Sequence, residues 1–430
     1  MQFHLLSFEG PDSYSRAGGL ASRVEGLANT LASLGFETHL WFVGDPDLPG
    51  HEPRDELVLH RWAQWVSRYH RGGVYDGELD KHVEYASALP PYLLEQTLLP
   101  HLEAGGRAVI LAEEWQTVDA VLHLHWLLAE RRLGDRVAIL WNANNTFGFE
   151  RIDWQLLARA AAITTVSRYM KHRMWALGVD PLVIPNGLPG EAFEPPERSA
   201  CAELRRRFVD RTVVVKIARF DPDKRWLAAV RTVGLMKRTG WRPLFVARGG
   251  VEAHGAEVLA AMGAEGLAVV EREWREPGAR GLLEALRDVN GADVVHLRSR
   301  LDSDARRVLF RGGDAVLANS GHEPFGLVGL EAMAAGGLAC TGTTGEDYAV
   351  PGQNALVLET GDPTEFLGMF GRLRSRPEEA QAIRRAGRAT ARRFAWPEVV
   401  QRVLLPRIEL AQGARGDGAP GTGIARVEDA

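Results

Sequence analysis

Two glutamates, Glu323 and Glu331, lie in an otherwise apolar stretch with seven residues between them. The apolar run from Gly326 to about Ala335 predicts a buried helix, because it contains no residue that breaks a helix more strongly than Gly. The Gly-Gly pair that follows is expected to end the helix. Eight residues at helical rise separate the two carboxylates by on the order of 12 Å. That distance is too long for a shared proton or for a paired acid and base at one bond. The two glutamates are therefore predicted to contact different parts of one extended ligand.

Positively charged or hydrogen-bond-donating groups are predicted both within this stretch and upstream of it. The N–H groups of Gly326, Leu327 and Val328 would open the helix and can hold an anion. Arg219 and Lys224 lie five residues apart across a Pro turn, directly after a β-branched run typical of a buried parallel strand. Cations at the carboxyl end of such a strand lie where open α/β sheets bind ligands. Together these groups predict a diphosphate site.

Each motif also has a plainer interpretation. The glutamate pair can belong to a structural helix with one buried and one capping carboxylate, although a buried Glu needs a partner. Arg219 and Lys224 can lie on a solvated charged loop. Gly18-Gly19, at the start of another predicted helix, lets a backbone approach phosphate closely, yet Gly pairs are common in strand-to-helix loops. His123-x-His125 has spacing for a metal, but on an apolar helix a structural role is favoured.

The surrounding chain alternates between strands and helices, which predicts parallel sheets in an α/β fold. The segment 268–271 is expected to form a strand that pairs beside 243–248. The segment 51–106 is rich in aromatic residues without a clear period. Its rings can form a platform for a sugar or can simply pack in the core and on the surface. The predicted strands are 3–8, 38–43, 108–111, 137–141, 162–167, 212–218, 243–248, 268–271, 293–297, 315–318 and 338–341. The predicted helices are 20–34, a segment ending near 130, 168–177, 303–310, 363–374, 377–393 and 397–411.

The Glu-x7-Glu pair, with its Pro-Phe-Gly and Glu-Ala-Met-Ala elements, resembles the retaining glycosyltransferases of family 4, in the group of glycogen and starch synthases. Arg219-x4-Lys224 resembles the family's Arg-x4-Lys, and Ile184-Pro-Asn-Gly187 is similar to its segment before the interdomain linker. Arg16-x-Gly-Gly is similar to its Lys-x-Gly-Gly loop. The resemblance implies the GT-B fold, in which two doubly wound Rossmann-like domains face each other across a cleft. The expected segments are an acceptor-side domain 1–190, a nucleotide-sugar domain 191–395, a helix 396–412 that crosses back, and a flexible tail 413–430.

The resemblance also implies roles for single residues. Arg219 and Lys224 would neutralise the diphosphate of a UDP- or ADP-sugar, Glu323 would contact the transferred hexose, and Glu331 would contact the ribose. The expected catalytic residues are Arg219, Lys224 and Glu323, and the expected donor-binding residues are Gly18, Gly19, Gly326, Leu327, Val328, Glu331 and Arg298. The donor is a substrate, so no cofactor is expected, and no metal is expected because the fixed cations would take the place of Mg²⁺.

The first half departs from the family where the acceptor should bind. Glu113 stands where the synthases have an active-site His, and Asn142-Ala-Asn144-Asn replaces Thr-x-His-Asn. The acceptor is expected to be a small molecule or a glycan, and the expected acceptor-side residues are Glu114, Trp115, Asn142 and Asn144. Two alternatives remain: a phosphorylase on the same fold, and a non-catalytic sugar- or nucleotide-binding protein.

The composition is ordinary for a soluble globular protein. At 430 residues two or three domains are expected, and a net charge of −5, without a cluster of Lys and Arg interleaved with aromatic residues, gives no sign of nucleic-acid binding. Only Cys201 and Cys340 occur, far apart, which fits a reducing cytoplasm. The chain starts like a strand rather than a signal peptide, and no apolar run approaches 18 residues, so membrane association is not expected. The basic segment 384–393 is predicted to be a solvated face, and no signal specifies an oligomeric state.

Overall fold

The computed structural model describes residues 1–409, which form two α/β units. Unit 1 comprises Met1–Gly187 together with residues 396–409, and unit 2 comprises Leu188–Ala395. The expected boundary lay at 190/191. The expected tail 413–430 and the last two residues of the expected helix 397–411 lie outside the described residues.

Unit 1 is built on an eight-stranded sheet with the order β3-β4-β2-β1-β5-β6-β7-β8. Only β3 runs antiparallel to its neighbour β4. The strand order reverses between β1 and β5, which pair directly, so the topological switch point lies at their carboxyl ends. The strands are β1 Gln2–Leu6, β2 Glu37–Val43, β3 His51–Arg54, β4 Leu57–Trp62, β5 Ala108–Glu113, β6 Val137–Ala143, β7 Ala162–Thr165 and β8 Leu182–Val183. The helices are α1 Gly19–Ser33, α2 Gln64–Ser67, α3 Glu78–Leu93, α4 Leu99–Glu103, α5 Val118–Glu130, α6 Trp154–Ala160 and α7 Arg168–Trp175.

Unit 2 contains a seven-stranded parallel sheet with the order β11-β12-β10-β9-β13-β14-β15. Its order reverses between β9 and β13. The strands are β9 Thr212–Ile217, β10 Pro243–Arg248, β11 Val269–Arg272, β12 Val294–Leu297, β13 Ala315–Ala318, β14 Ala339–Thr341 and β15 Leu356–Val357. The helices are α8 Arg198–Arg207, α9 Trp226–Arg238, α10 His254–Ala264, α11 Gly278–Ala285, α12 Ser303–Gly312, α13 Leu327–Ala334, α14 Pro363–Arg374 and α15 Pro377–Arg392.

The C-terminal segment of the described chain completes the core of unit 1. It begins with α16, Trp396–Val399, continues as a π-helix over Val400–Leu404 and stays helical to residue 409. Trp396 lies against two glycines: a Cβ on Gly26 would approach its ring within 1.9 Å, and one on Gly187 within 2.4 Å. The segment's apolar side chains join the core formed by α1 and the central strands.

The expected pairing of 268–271 with 243–248 is wrong. Strand β11 pairs with β12, which lies between β11 and β10. Strand β12, Val-Val-His-Leu, is buried throughout, as expected for a strand with a neighbour on each side. Strand β11 is half exposed and lies at the edge of the sheet.

The aromatic segment 51–106 is largely regular structure that the sequence pattern did not reveal. It contains β3, β4, α2, α3 and α4, with a π-helical turn at Leu94–Leu98 between α3 and α4. Some of its aromatic rings are buried and others are exposed to solvent. His60 stacks on the buried Trp41 with ring centroids 3.6 Å apart, whereas Tyr69 is 81% exposed. Ordinary packing therefore accounts for the buried rings.

The basic segment 384–393 is only partly solvated. Arg384 is half-buried in α15, and its guanidinium donates to the carbonyl of Asp314 at 2.8 Å. Burial lowers the pKa of this guanidinium to about 10. The solvated-face prediction is therefore wrong for Arg384, whereas Arg385, Arg392 and Arg393 are exposed.

Candidate functional site

The candidate site of unit 2 lies where β9 and β13 end. These strands are neighbours at the switch point of the sheet, so their carboxyl-terminal loops meet at one edge. The first loop carries Arg219 and a single 3₁₀ turn at Pro222–Lys224. The second carries Glu323, and the N–H of Gly321 donates to the carbonyl of Asp223 at 2.6 Å. This backbone hydrogen bond joins the two loops.

Lys224 and Glu323 form an ion pair across this junction. The Nζ atom of Lys224 lies 2.5 Å from Oε2 of Glu323, and each side chain is about one-fifth exposed. The structure thus brings together two of the three residues predicted to be catalytic. The third, Arg219, stands on the same loop as Lys224 with its side chain exposed, and it forms no ion pair within residues 1–409.

The loop after β14 holds the backbone of Glu323 in place. The N–H of Glu323 donates to Thr344 Oγ1 at 2.9 Å, and the N–H of Gly345 donates to the carbonyl of Glu323 at 2.8 Å. A Cβ on Gly345 would lie 2.1 Å from the carbonyl oxygen of Pro324. Only glycine therefore allows this close approach.

Glu346 lies beneath the start of α13. It is 5% exposed, and its carboxylate accepts the N–H of Thr344 at 3.0 Å. Burial raises the pKa of Glu346 to about 7, and the neighbouring charge of Glu323 adds to this effect. Gly326 adopts a left-handed conformation (φ 80°), and a Cβ there would lie 2.7 Å from Cγ of Glu346.

The predicted phosphate-binding amides lie at the first turn of α13. Gly326 is the N-cap, and no side chain among the described residues caps the helix there. Leu327 and Val328 follow as the first two helical residues and are half-buried. The arrangement leaves the positive end of the helix beside Glu323, where an anionic ligand would be stabilised.

The remaining donor-side residues lie on neighbouring elements of unit 2. Glu331 of α13 lies 3.3 Å from Nη1 of Arg306 in α12, and burial raises its pKa. The buried Glu predicted to need a partner therefore has one. Arg298 follows β12 and lies 3.6 Å from Glu271, with about half of its side chain exposed.

Lys216 is a buried cation that the sequence pattern did not single out. It lies in β9, is 1% exposed, and its Nζ donates to the carbonyl of Leu317 at 3.2 Å and to Asn319 Oδ1 at 3.4 Å. Its pKa is lowered from an ordinary 10.5 to about 7, mainly by burial and also by the Lys224 ammonium, while Glu323 opposes the change. A Lys within a run of β-branched residues was the sequence signal that could have indicated this buried cation.

Replacing Lys216 with Met is expected to change how stability depends on pH. Between about pH 7 and pH 10 the unfolded chain holds a proton on this lysine that the folded chain does not. Stability therefore rises with pH in this window, by up to about 1.4 kcal/mol per pH unit from this group. Lys216→Met removes this pH-dependent contribution. The free energy of unfolding of the variant, relative to that of the wild type, is therefore expected to be highest near pH 7 and to decrease toward pH 10. Urea unfolding at several pH values measures this difference, and the exposed-lysine variant Lys237→Met should show no such trend.

Two of the acceptor-side residues predicted in unit 1, Asn142 and Asn144, join a largely buried network around Glu113. Arg23 donates to Glu113 at 2.9 Å and to Asn186 Oδ1 at 2.8 Å. The side-chain amides of Asn142 and Asn144 donate to Glu113 Oε2 at 2.9 and 2.7 Å. Glu113 and Asn142 are almost fully buried. Glu113, which replaces the family's His, thus accepts from three side chains.

Glu114 stands at the end of β5 in an unusual backbone conformation, with φ 68° and ψ 166°. It is 5% exposed, and its Oε1 accepts the backbone N–H of Asn144 at 2.7 Å. The pKa of Glu114 is raised to about 8, mainly by burial and also by the carboxylates of Glu113 and Glu9, while the hydrogen bond from Asn144 opposes the change. At neutral pH this side chain is therefore mostly protonated and can donate a hydrogen bond. Trp115 follows and is 8% exposed.

The Gly18-Gly19 loop already holds a carboxylate of its own chain. Oε2 of Glu9 accepts the N–H groups of Ala17, Gly18 and Ala21 at 3.2, 2.9 and 3.1 Å. Glu9 thus takes the anion position at the start of α1 that the sequence analysis assigned to a donor phosphate. Sequence reasoning missed Glu9, although a Glu just after the first strand was a visible signal.

Residues 1–409 contain neither a side-chain cluster suited to a metal ion nor a membrane-spanning helix. No group of three or more His, Cys, Asp or Glu side chains has the arrangement to hold a metal ion. His123 instead contacts the backbone carbonyl of Ala86 at 3.1 Å. In this same part of the chain no helix is both long and apolar enough to cross a bilayer.

Comparison with known proteins gives a family match over part of the chain. Residues 17–191 match the family described as Glycosyltransferase Family 4. The D-inositol 3-phosphate glycosyltransferase of Acidothermus cellulolyticus is 29% identical over 230 residues, which are 52% of this chain and 46% of that protein. The alignment thus spans about half the length of the curated relative.

Two solved structures show the same architecture over almost the whole chain. Sucrose-phosphate synthase from Thermosynechococcus elongatus has a TM-score of 0.65 at 18% identity, covering 96% of this chain and 100% of that one. The catalytic domain of starch synthase IV from Arabidopsis thaliana, bound to ADP and acarbose, has a TM-score of 0.67 at 14% identity, covering 96% and 99%. The expected fold is confirmed: the chain has the GT-B fold.

Proposed function

We propose that this protein transfers a hexose such as glucose from a UDP- or ADP-sugar to an acceptor hydroxyl, with retention of configuration and without a metal ion. The observation that supports this most is the Lys224–Glu323 pair, placed between the switch point of unit 2 and the uncapped start of α13. A cation, a carboxylate and free helix amides at one strand edge suit a ligand that joins a sugar to a diphosphate.

In this proposal Lys224 and Arg219 neutralise the diphosphate, and the amides of Leu327 and Val328 donate to it. The bond between the anomeric carbon and the diphosphate oxygen breaks, and the acceptor oxygen bonds to the same face of that carbon. The acceptor's proton passes to the leaving phosphate. The fixed cations stabilise the charge that builds on the departing nucleotide, which is electrostatic catalysis. Glu323 contacts the sugar hydroxyls, and Glu331 contacts the ribose.

A thermal-shift panel tests the donor. UDP-, ADP- and GDP-sugars are compared with inorganic phosphate, and the matching nucleotide sugar is expected to raise the Tm. At one hundred times its Kd a ligand adds about 2.7 kcal/mol of stability. Nuclear magnetic resonance of the product from an α-linked donor then tests retention, which predicts an α-linked product. A shift with phosphate and release of sugar phosphate would favour a phosphorylase, whereas nucleotide binding without transfer or donor hydrolysis would favour a non-catalytic protein.

A further inference from the structure

Arginines from two helices of unit 2 converge on the backbone where α12 ends and β13 begins. Arg205 in α8 donates to the carbonyl of Arg311 at 2.5 Å. Arg384 in α15 donates to the carbonyls of Gly313 and Asp314, at 3.3 and 2.8 Å. The accepting carbonyls belong to one stretch of four residues, so this short segment holds both guanidinium groups.

Two further guanidinium groups lie nearby. The side chain of Arg311 itself donates to the carbonyl of Gly336, just after α13, at 2.6 Å. Arg388, also in α15, donates to the carbonyl of Phe193 at 3.2 Å. Burial lowers the pKa of the Arg311 guanidinium, and the charges of Arg205 and Arg388 lower it as well, so these groups are close enough to repel one another. We call these four residues the arginine cluster: Arg205, Arg311, Arg384 and Arg388.

The described chain supplies the arginine cluster with main-chain carbonyls but with no carboxylate partner. None of its four side chains forms an ion pair within residues 1–409, and the hydrogen bonds above all go to backbone oxygens. In the same part of the chain, Nη1 of Arg384 and Nε of Arg388 are buried without any hydrogen-bond partner. A buried donor without an acceptor is costly. The donors of the cluster therefore exceed the acceptors around them.

The charges at the cluster leave a positive excess. Asp314 is the carboxyl that interacts with it: burial raises the pKa of this group, and the charges of Arg384 and Arg205 act in the opposite direction. The ends of α12 and α13 each add about −0.5. Set against these two helix ends and at most one carboxylate, four guanidinium groups leave an excess of about +2. Capping of helix ends alone therefore does not account for the cluster, whereas a dianion would balance it.

The arginine cluster lies at the opposite edge of the sheet from the Lys224–Glu323 site. Oδ2 of Asp314 accepts the N–H of Val213 at 2.8 Å, so the cluster stands where β9 and β13 begin. Lys224 and Glu323 follow the carboxyl ends of the same two strands. Strand β9 has six residues, which at about 3.3 Å per residue place the two edges on the order of 20 Å apart. An anion at the cluster is therefore not the donor diphosphate.

We propose that the arginine cluster is a second anion site of unit 2, and that it binds the terminal phosphate of a phosphate monoester or inorganic phosphate. Planar guanidinium groups bind phosphate oxygens in pairs, and such charge-assisted hydrogen bonds are strong. Arg205 is exposed and the other three side chains are half-buried, so a ligand can approach from solvent. The same chemistry is offered by a dissolved ester and by the head group of phosphatidic acid. The site is independent of the proposed sugar transfer.

Isothermal titration calorimetry with inorganic phosphate tests the site on the full chain. The titrations use the Lys224→Ala background, which weakens phosphate binding at the donor site. The added double variant Arg205→Gln, Arg388→Gln is expected to lower the phosphate affinity at least about 10-fold, because it removes two charged donors. The matched control Arg206→Gln, Arg392→Gln changes exposed arginines of the same two helices and should bind as the background does. Far-ultraviolet circular dichroism should be the same for all of these proteins.

Two further arms distinguish the source of the phosphate from plain charge attraction. Phosphatidylcholine vesicles containing phosphatidic acid are compared with vesicles containing phosphatidylserine. Preferential binding to phosphatidic acid that is lost in Arg205→Gln, Arg388→Gln would identify a lipid head group, whereas calorimetric binding without vesicle binding would identify a dissolved ester. Titration of chloride at the same ionic strength should give no comparable binding.

Three results would overturn the proposal. The first is an unchanged phosphate affinity, together with unchanged vesicle binding, in Arg205→Gln, Arg388→Gln. The second is binding of neither inorganic phosphate nor phosphatidic acid vesicles. The third is binding of chloride as tight as that of phosphate, which would show an adventitious ion only. None of these results bears on transfer, which the thermal shift with nucleotide sugars tests separately.

Discussion

Replacing Lys224 with alanine is expected to lower kcat/KM for sugar transfer by about 10²-fold or more. In the proposed mechanism its ammonium lies on the diphosphate as negative charge develops, and loss of one such group typically costs 10²- to 10³-fold. The substitution also leaves Glu323 without the partner that lies 2.5 Å away, so the carboxylate would face the diphosphate unneutralised. Steady-state transfer assays with the donor identified by thermal shift measure the effect.

The control for Lys224 is another lysine of unit 2 that forms an ion pair far from the strand edge. Lys237 pairs with Asp293 at 2.7 Å and is 43% exposed, so Lys237→Ala should leave transfer within about twofold of the wild type, because exposed pairs contribute little. Both variants should keep their far-ultraviolet circular dichroism. Unchanged turnover of Lys224→Ala would refute the assignment of a diphosphate role to this residue.

Replacing Arg23 with alanine is expected to reduce the free energy of unfolding by about 3–5 kcal/mol, the usual result of removing one partner of a buried ion pair. Arg23 and Glu113 are each less than 5% exposed, and no other cation contacts Glu113 among the described residues. The variant would leave the carboxylate buried with only amide donors. Urea unfolding followed by tryptophan fluorescence measures the loss.

Two further variants separate charge burial from simple truncation. Arg16→Ala removes a pair of comparable length in which both side chains are about one-third exposed, and it should cost less than about 1 kcal/mol. The double variant Arg23→Met, Glu113→Gln carries no lone buried charge and should recover much of the stability lost in Arg23→Ala. A double variant as unstable as Arg23→Ala would show that packing, rather than the buried charge, is responsible.

The alternation of strands and helices was predictable because each buried strand leaves a strong local signal. The run Thr212–Ile217 is continuous and β-branched, and Pro363–Arg374 begins with Pro and is periodic, so both lie where the sequence placed them. The segment 51–106 was not predictable in the same way. Helix α3 contains Pro90 and Pro91 and passes into a π-helical turn, so its sequence carries signals that normally end a helix.

The residues of the candidate site were predictable where a short sequence motif identifies them. Contacts between residues that are far apart in the sequence were not predictable. Lys224 and Glu323 were identified separately, and their ion pair follows from the adjacency of β9 and β13. The contact of Glu9 with the start of α1 depends on how the loop after β1 folds back. The pairing of Arg23 with Glu113 joins residues 90 positions apart. Such contacts arise from tertiary structure, which residue type and spacing do not specify.

The return of residues 396–409 to unit 1 has a consequence for synthesis on the ribosome. Unit 2 is a continuous segment, so its residues are all available before translation ends. Unit 1 lacks Trp396 and the helical turns after it until Leu188–Ala395 has been made, which takes roughly 10–40 s at roughly 5–20 residues per second. During that time the surface of α1 that receives Trp396 is exposed, and the N-terminal half of the chain is the later one to reach its native state.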